Sequence, residues 1–89
     1  MNTRNIGKQV DRLYRAYCEA QGDTYDGPFP PCEYVETLHT HAATLMRFRT
    51  NWDEGGYSDE IVEVDRNGKV KSIVGYFDTS TMVIYNREA

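Results

Sequence analysis

The feature that most constrains the fold is a hairpin signature in the C-terminal third of the chain. Residues 60–65 and 69–77 are rich in β-branched and aromatic side chains, and the dipeptide Asn67-Gly68 lies between them. Asn-Gly between two such runs is a strong hairpin signal. A second turn at residues 78–81 then returns the chain. The pattern predicts a three-stranded antiparallel meander that spans Ser58 to Asn86.

The first hairpin of this meander has two candidate registers. A two-residue loop would place Val64 opposite Lys71. A three-residue loop, with Gly68 in the left-handed region, places Val64 opposite Val70. It also places Glu63 opposite Lys71. Because like-with-like and opposite-charge cross-strand pairs contribute roughly 0.2–1 kcal/mol each, we predict the three-residue loop.

Alternation divides the side chains of the meander between two faces. The second turn is expected to place Phe77 near Met82. One face is the predicted core face, with Val62, Val64, Val70, Val74, Tyr76, Val83 and Tyr85. The other face mixes apolar and charged residues, and an apolar patch there marks an interaction site unless a helix or a loop covers it. Its apolar residues are candidates for a homo-oligomer face: Ile73, Phe77, Met82 and Ile84.

A first helix is predicted from about Asn5 to Gln21. Ile6, Val10 and Tyr14 recur at helical spacing and give it one apolar face. Gly22 follows directly, and glycine is the residue that most often ends a helix in the left-handed conformation.

A second helix is predicted from about Pro31 to Arg49. Acidic residues near its start and basic residues near its end suit the helix dipole. Its apolar stripe is Val35, Leu38, Ala42, Leu45 and Met46. The predicted order is therefore α-α-β-β-β, with two N-terminal helices packed on a three-stranded antiparallel β-meander as an α+β two-layer sandwich. Residues 1–89 are expected to form one small domain.

Composition limits the class of protein. The chain has 89 residues, of which 39% are hydrophobic and 27% are charged, as in soluble globular proteins. No apolar run approaches the roughly 18 residues of a membrane span. The N-terminus lacks the apolar stretch of a signal peptide, so we expect a cytoplasmic protein without membrane contact. Cys18 and Cys32 are then expected to be buried thiols, although a disulfide between them stays open.

We find no motif for catalysis or for a cofactor. His39 and His41 would lie about 200° apart around a helix, so they cannot share a metal ion. Cys32 and His39 could share a helical face as a nucleophile pair, with the Cys32 pKa lowered at a helix N-terminus. The chain has no phosphate loop, no dinucleotide fingerprint and no calcium loop. We therefore expect a protein that is not an enzyme, with no catalytic residue, no metal and no cofactor.

Basic residues are concentrated at the start of the chain. They follow the helical period on a side of the first helix away from its apolar face, and they are candidates for phosphate binding: Arg4, Lys8, Arg12 and Arg15. The chain as a whole carries a net charge of −4. Four bases on an acidic chain are fewer than nucleic-acid-binding proteins usually carry, so nucleic acid is an unlikely partner.

Aromatic and acidic residues occur together in the predicted loops. Tyrosine and tryptophan are enriched at interface hot spots, and acidic groups steer association with basic surfaces. The candidate partner-binding residues are Tyr25, Asp26, Phe29, Trp52, Asp53, Glu54, Tyr57 and Asp59. We interpret the chain as a protein–protein interaction module, such as an inhibitor or an adaptor, that binds a basic partner surface. The alternative is a small-molecule or nucleotide binder with its site at an oligomer interface, where the bases of the first helix hold phosphate.

Overall fold

The fold is one helix packed on a five-stranded antiparallel sheet, in a computed structural model that describes residues 2–23, 28–52 and 55–88. Within these residues the elements are α1 (Thr3–Ala20), β1 (Cys32–His39), β2 (Thr44–Asn51), β3 (Tyr57–Val64), β4 (Val70–Phe77) and β5 (Ser80–Asn86). Each strand pairs with its neighbour in sequence, in the order β1-β2-β3-β4-β5. We call the face of the sheet that α1 covers the core face, and the opposite face the outer face.

The predicted first helix is confirmed as α1. Ile6, Val10 and Tyr14 are buried against the core face of the sheet, as their spacing predicts. The side chain of Asn2 caps the start of the helix. Gly22, at φ 77°, follows the last turn in the left-handed conformation, which confirms its predicted position.

The predicted second helix is wrong, because residues 32–39 and 44–51 form the hairpin β1–β2. The turn of this hairpin is closed by the Thr40 N–H, which donates to the Ala43 carbonyl at 2.9 Å. Met46 and Phe48 are buried on the core face, and the intervening Arg47 lies on the outer face. This is a period of two, and the pairing of β2 with both of its neighbours overrides the helical spacing of its apolar residues.

The predicted three-stranded meander corresponds to β3, β4 and β5, which are part of a larger sheet. Val64 pairs with Val70, and Gly68 has φ 77°, so the three-residue loop is confirmed. Glu63 faces Ser72 because Lys71 is the extra residue of a β-bulge. The Lys71 ammonium group still reaches the Glu63 carboxylate at 3.2 Å.

The bulge at residue 71 exchanges the two predicted faces along β4, because one extra residue inverts the alternation that follows it. Ile73 is buried at 0% exposure, and Val74 instead turns to the outer face. Tyr76 follows Val74 on the outer face and is exposed. The predicted core face is therefore correct for Val62, Val64 and Val70 and wrong for Val74, Tyr76 and Val83.

The predicted oligomer face needs a corresponding correction. Ile73 and Ile84 lie in the core under α1, so they do not form an exposed surface. Phe77 and Met82 lie at the open end of the core. The second turn contains only residues 78–79, so Met82 pairs with Gly75 and not with Phe77. A homo-oligomer stays a prediction without this surface.

Candidate functional site

The described residues form an open pocket of about 830 Å³. It lies between the second half of α1, the segment 28–29, the end of β2 and the β4–β5 turn. We call it the aromatic pocket after the aromatic side chains that line it together with a methionine: Tyr14, Tyr17, Phe29, Trp52, Phe77 and Met82. Most of its lining is apolar, with a few charged groups on one side, which is typical of binding sites.

Within the described residues, three contacting rings form the inner wall of the aromatic pocket. The Tyr14 and Trp52 rings lie 5.8 Å apart at 77°, and the Phe29 and Trp52 rings lie 5.4 Å apart at 85°. The ring centroids of Tyr14 and Phe29 lie 5.8 Å apart, with 64° between the ring planes. Such edge-to-face pairs contribute about 0.5–1.5 kcal/mol each beyond the area they bury. The wall therefore joins three segments that are distant in sequence.

A buried polar network holds this wall from behind. The Trp52 indole N–H donates to Ser58 Oγ at 3.0 Å, and the Ser58 hydroxyl donates to Glu60 Oε2 at 2.7 Å. The Thr50 hydroxyl donates to Glu60 Oε1 at 2.8 Å. The Tyr14 hydroxyl lies 3.5 Å from Ser58 Oγ. The network fixes the orientation of Trp52 and Tyr14, because an indole N–H and a phenol need partners when they are buried.

Glu60 is the residue of this network with the most perturbed acidity. Burial raises its pKa to about 7, although the hydrogen bonds from Ser58 and Thr50 lower it in part. Burial also raises the pKa of Tyr14 to about 12. The sequence indicates that Glu60 is buried, because Glu60 lies two residues before Val62 and therefore on the same face of the strand. Val62 was predicted to be in the core.

Charged groups lie on the α1 side of the aromatic pocket. Arg15, Glu19 and Asp23 line it. The helix ends there because the Asp23 N–H donates to the Cys18 carbonyl at 3.0 Å, and Gly22 allows the turn. The Arg15 guanidinium lies 5.5 Å from the centroid of the Phe29 ring, which engages this cation with the pocket wall.

The structure divides the predicted partner-binding residues between two surfaces. Phe29 and Trp52 meet in the aromatic pocket. Tyr57 and Asp59 lie on the outer face, separated from the pocket by the sheet. The remaining four predicted residues lie outside the described part of the chain: Tyr25, Asp26, Asp53 and Glu54.

The outer-face pair is already engaged within the chain. Arg49 binds the Asp59 carboxylate through Nε at 2.7 Å and through Nη2 at 3.2 Å. Its guanidinium also lies 3.9 Å from the centroid of the Tyr57 ring. The hydrogen bonds from Arg49 lower the pKa of Asp59. Because its charge is neutralised locally, Asp59 is a weaker candidate for binding a basic partner than the sequence indicates.

Three of the predicted phosphate-binding residues share a concavity on α1 that does not include Arg4. It is smaller than the aromatic pocket, and its charged lining consists of Lys8, Arg12 and Arg15 with the acidic residues Asp11 and Glu19. Arg4, Lys8 and Arg12 are exposed along the solvent side of α1, and they do not line the aromatic pocket. Of the four predicted bases, Arg15 alone lies at the pocket.

The fold also changes what was predicted for the two cysteines. Cys18 and Cys32 are free thiols. Cys32 begins a strand and not a helix, and burial, with the nearby Asp11 carboxylate, raises its pKa, so the predicted lowering is wrong. His39 lies at the opposite end of β1 from Cys32, so the two do not pair. The described residues contain no group of three or more His, Cys, Asp or Glu side chains that could hold a metal ion.

The helix of the described chain is not apolar enough to cross a membrane. Comparisons with protein-family models, with curated proteins and with solved structures found no match. The functional inference therefore depends on the geometry of the aromatic pocket and its surroundings.

Proposed function

We propose that this protein is a non-enzymatic interaction module that binds a partner protein by taking an apolar side chain of the partner into the aromatic pocket. The observation that carries the proposal is the pocket itself, which is open, walled by three contacting rings and held by a buried hydrogen-bond network. Aromatic or aliphatic anchors seated in preformed pockets supply most of the energy of many protein interfaces. A rigid wall also reduces the entropic cost of binding.

The charges around the pocket favour a basic partner. Glu19 and Asp23 are exposed on its α1 side, and the chain carries a net charge of −4. The nearby cation, Arg15, lies against the Phe29 ring. A partner segment with Lys or Arg beside its apolar anchor would be attracted to this side of the pocket. An inhibitor or an adaptor with a basic target suits this arrangement better than a nucleic-acid binder.

A cytoplasmic location is part of the same proposal. Both cysteines are free, and structural disulfides are rare in reducing compartments.

A small-molecule ligand is the second candidate. The pocket volume of about 830 Å³ lies in the range of small-molecule sites. The nucleotide form of this alternative has less support, because Arg4, Lys8 and Arg12 do not line the pocket. A saturable rise in melting temperature with a nucleotide, lost in a variant with a filled pocket, would favour this candidate over a protein partner.

The proposal is tested by selecting random linear peptides against the immobilised protein and measuring their affinities by calorimetry. We expect enrichment of sequences with an aromatic or large aliphatic residue beside Lys or Arg. The variant Ser80→Phe places a ring at the pocket lining and should weaken binding by about tenfold or more, which corresponds to about 1.4 kcal/mol.

The matched control is Ser80→Ala, which leaves the pocket open and should bind as the unaltered protein does. The proposal is contradicted if no peptide is enriched over an unrelated protein. Equal peptide affinities for Ser80→Phe and Ser80→Ala would also contradict it.

A further inference from the structure

The free edge of strand β5 lacks protection over residues 80–83. β5 is the last strand of the sheet, and no described strand pairs with its other side. Exposed edges are normally protected by charges, prolines or bulges, since their unpaired backbone groups accept further strands. β5 contains no charged residue and no proline, and its bulge, at Ile84, lies beyond residues 80–83, which border the aromatic pocket. The opposite edge, β1, has Glu33, Glu36 and a bulge at Val35.

The turn before β5 shows which backbone groups face outward. Phe77 and Ser80 flank a two-residue turn, so they form the hydrogen-bonded pair that closes it. Hydrogen-bonded and non-hydrogen-bonded pairs alternate along an antiparallel ladder. Thr81 and Val83 are therefore in non-hydrogen-bonded positions, and their N–H and C=O groups face away from β4. These groups are the available donors and acceptors of the edge.

The same edge borders the aromatic pocket. Ser80 and Met82 of β5 both line the pocket, together with Phe77 before the turn. A strand added beside β5 would lie about 4.8 Å away. Alternate side chains of that strand would face the core side of the sheet, where the pocket opens. The main chain of one segment could thus bind the edge while one of its side chains enters the pocket.

We propose that the partner segment binds in an extended conformation as a sixth strand on β5, with an apolar side chain in the aromatic pocket and basic residues near Glu19 and Asp23. This inference rests on the proposed function and names the form of the partner. In strand addition, main-chain hydrogen bonds supply affinity, and pockets for alternate side chains supply specificity.

A second copy of this chain fits the edge less well than a foreign segment does. On the core side of β5, Ile84 is buried in its own core and Met82 is part of its own pocket wall. The exposed apolar side chain of this strand, Val83, is on the outer face at 64% exposure. A symmetric pair of β5 strands would therefore have neither a free apolar side chain for the pockets nor a basic residue for the acidic side.

The test uses a peptide selected as described above and the variant Val83→Pro, which removes an outward N–H from an edge strand, where proline is tolerated. Because the Val83 side chain lies on the outer face, the pocket is left intact. The control Val83→Thr keeps the N–H. We expect Val83→Pro to lose about tenfold or more in peptide affinity and Val83→Thr to bind as the unaltered protein does.

A pocket-only probe separates this inference from the proposed function. Trp52 is the single tryptophan, so its indole N–H gives one NMR signal, which p-cresol should shift equally in the unaltered protein and in Val83→Pro. Unchanged peptide affinity in Val83→Pro would overturn the added strand but not the pocket. No p-cresol shift in the unaltered protein would instead contradict the proposed function.

Hydrogen exchange tests the added strand without any substitution, even if Val83→Pro fails to fold. Bound peptide should slow exchange of the Thr81 and Val83 amides in the unaltered protein. Unchanged exchange would overturn the inference. Protection of these amides in the free protein that grows with protein concentration would also overturn it, in favour of a second copy on β5.

Discussion

At the scale of single residues, the most informative group is the carboxyl of Glu60. It lies among apolar core residues and accepts hydrogen bonds from Thr50 and Ser58, and Ser58 in turn holds the indole of Trp52. A buried carboxyl group is costly unless its oxygens are satisfied. Here the two hydroxyl groups satisfy both oxygens and connect the core of the sheet to the wall of the aromatic pocket.

The protonation of Glu60 predicts how stability depends on pH. Burial raises its pKa in the folded protein to about 7, from 4.5 for an exposed group. Between these values the folded state keeps a proton that the unfolded chain has lost, so stability falls as pH rises. Relative to Glu60→Gln, the free energy of unfolding should fall by about 3 kcal/mol from pH 4.5 to pH 7.

Urea unfolding of both proteins across this pH range measures the effect. Glu63→Gln is the matched control, because it makes the same change of carboxylate to amide on the outer face, away from the core. An identical slope in Glu60→Gln and the unaltered protein would contradict this account of Glu60.

At the scale of elements, a close contact joins β4 to β5. A Cβ atom on Gly75 would lie 2.7 Å from Ile84 Cδ1, so the absence of a side chain there gives Ile84 its place in the core. We expect Gly75→Ala to destabilise the fold by about 1–3 kcal/mol, since it overpacks a filled core.

The matched control is Gly7→Ala in the interior of α1. A Cβ atom there would meet Phe48 at 3.4 Å, an ordinary contact. Alanine is more favourable than glycine in a helix interior by about 0.5–1 kcal/mol, so Gly7→Ala should be more stable than the unaltered protein. Thermal unfolding measures the stability of both variants relative to the unaltered protein. A Gly75→Ala variant as stable as the unaltered protein would contradict this prediction, and would show that the Ile84 side chain can move aside without cost.

The sequence predicts the elements that local signals determine. The periodicity of Ile6, Val10 and Tyr14 identifies α1, and Asn67-Gly68 identifies the β3–β4 hairpin and its register. The β1–β2 hairpin was missed because its apolar residues also fit a helical period, and only pairing with distant β3 decides between the two. The bulge at residue 71 has no local signal, yet it decides which side chains of β4 are buried.

The candidate site was predicted only in part. Phe29 and Trp52 were identified as interaction residues from their aromatic character, and they meet in the pocket. The contributions of Tyr14, from a helix, and of Met82, from an edge strand, depend on long-range packing that the sequence does not display. The burial of Glu60 behind this wall could be predicted only once the buried face of its strand was known.

At the scale of the whole molecule, α1 covers the core face of the sheet, and the exposed features follow from this arrangement. At the C-terminal half of α1 the core opens into the aromatic pocket beside Phe29 and Met82. The meander leaves β5 as an edge at the same place. A preformed apolar pocket, acidic groups at one side and the free edge at residues 80–83 are thus adjacent in a chain of 89 residues.

The measurement that tests the central claim most directly is an NMR spectrum of the protein bound to a selected peptide, recorded to detect nuclear Overhauser effects between the two. The account predicts effects from the apolar side chain of the peptide to the Met82 methyl group and the Trp52 indole. Effects to outer-face residues such as Ile61 and Val74, with none to Met82 or Trp52, would contradict it.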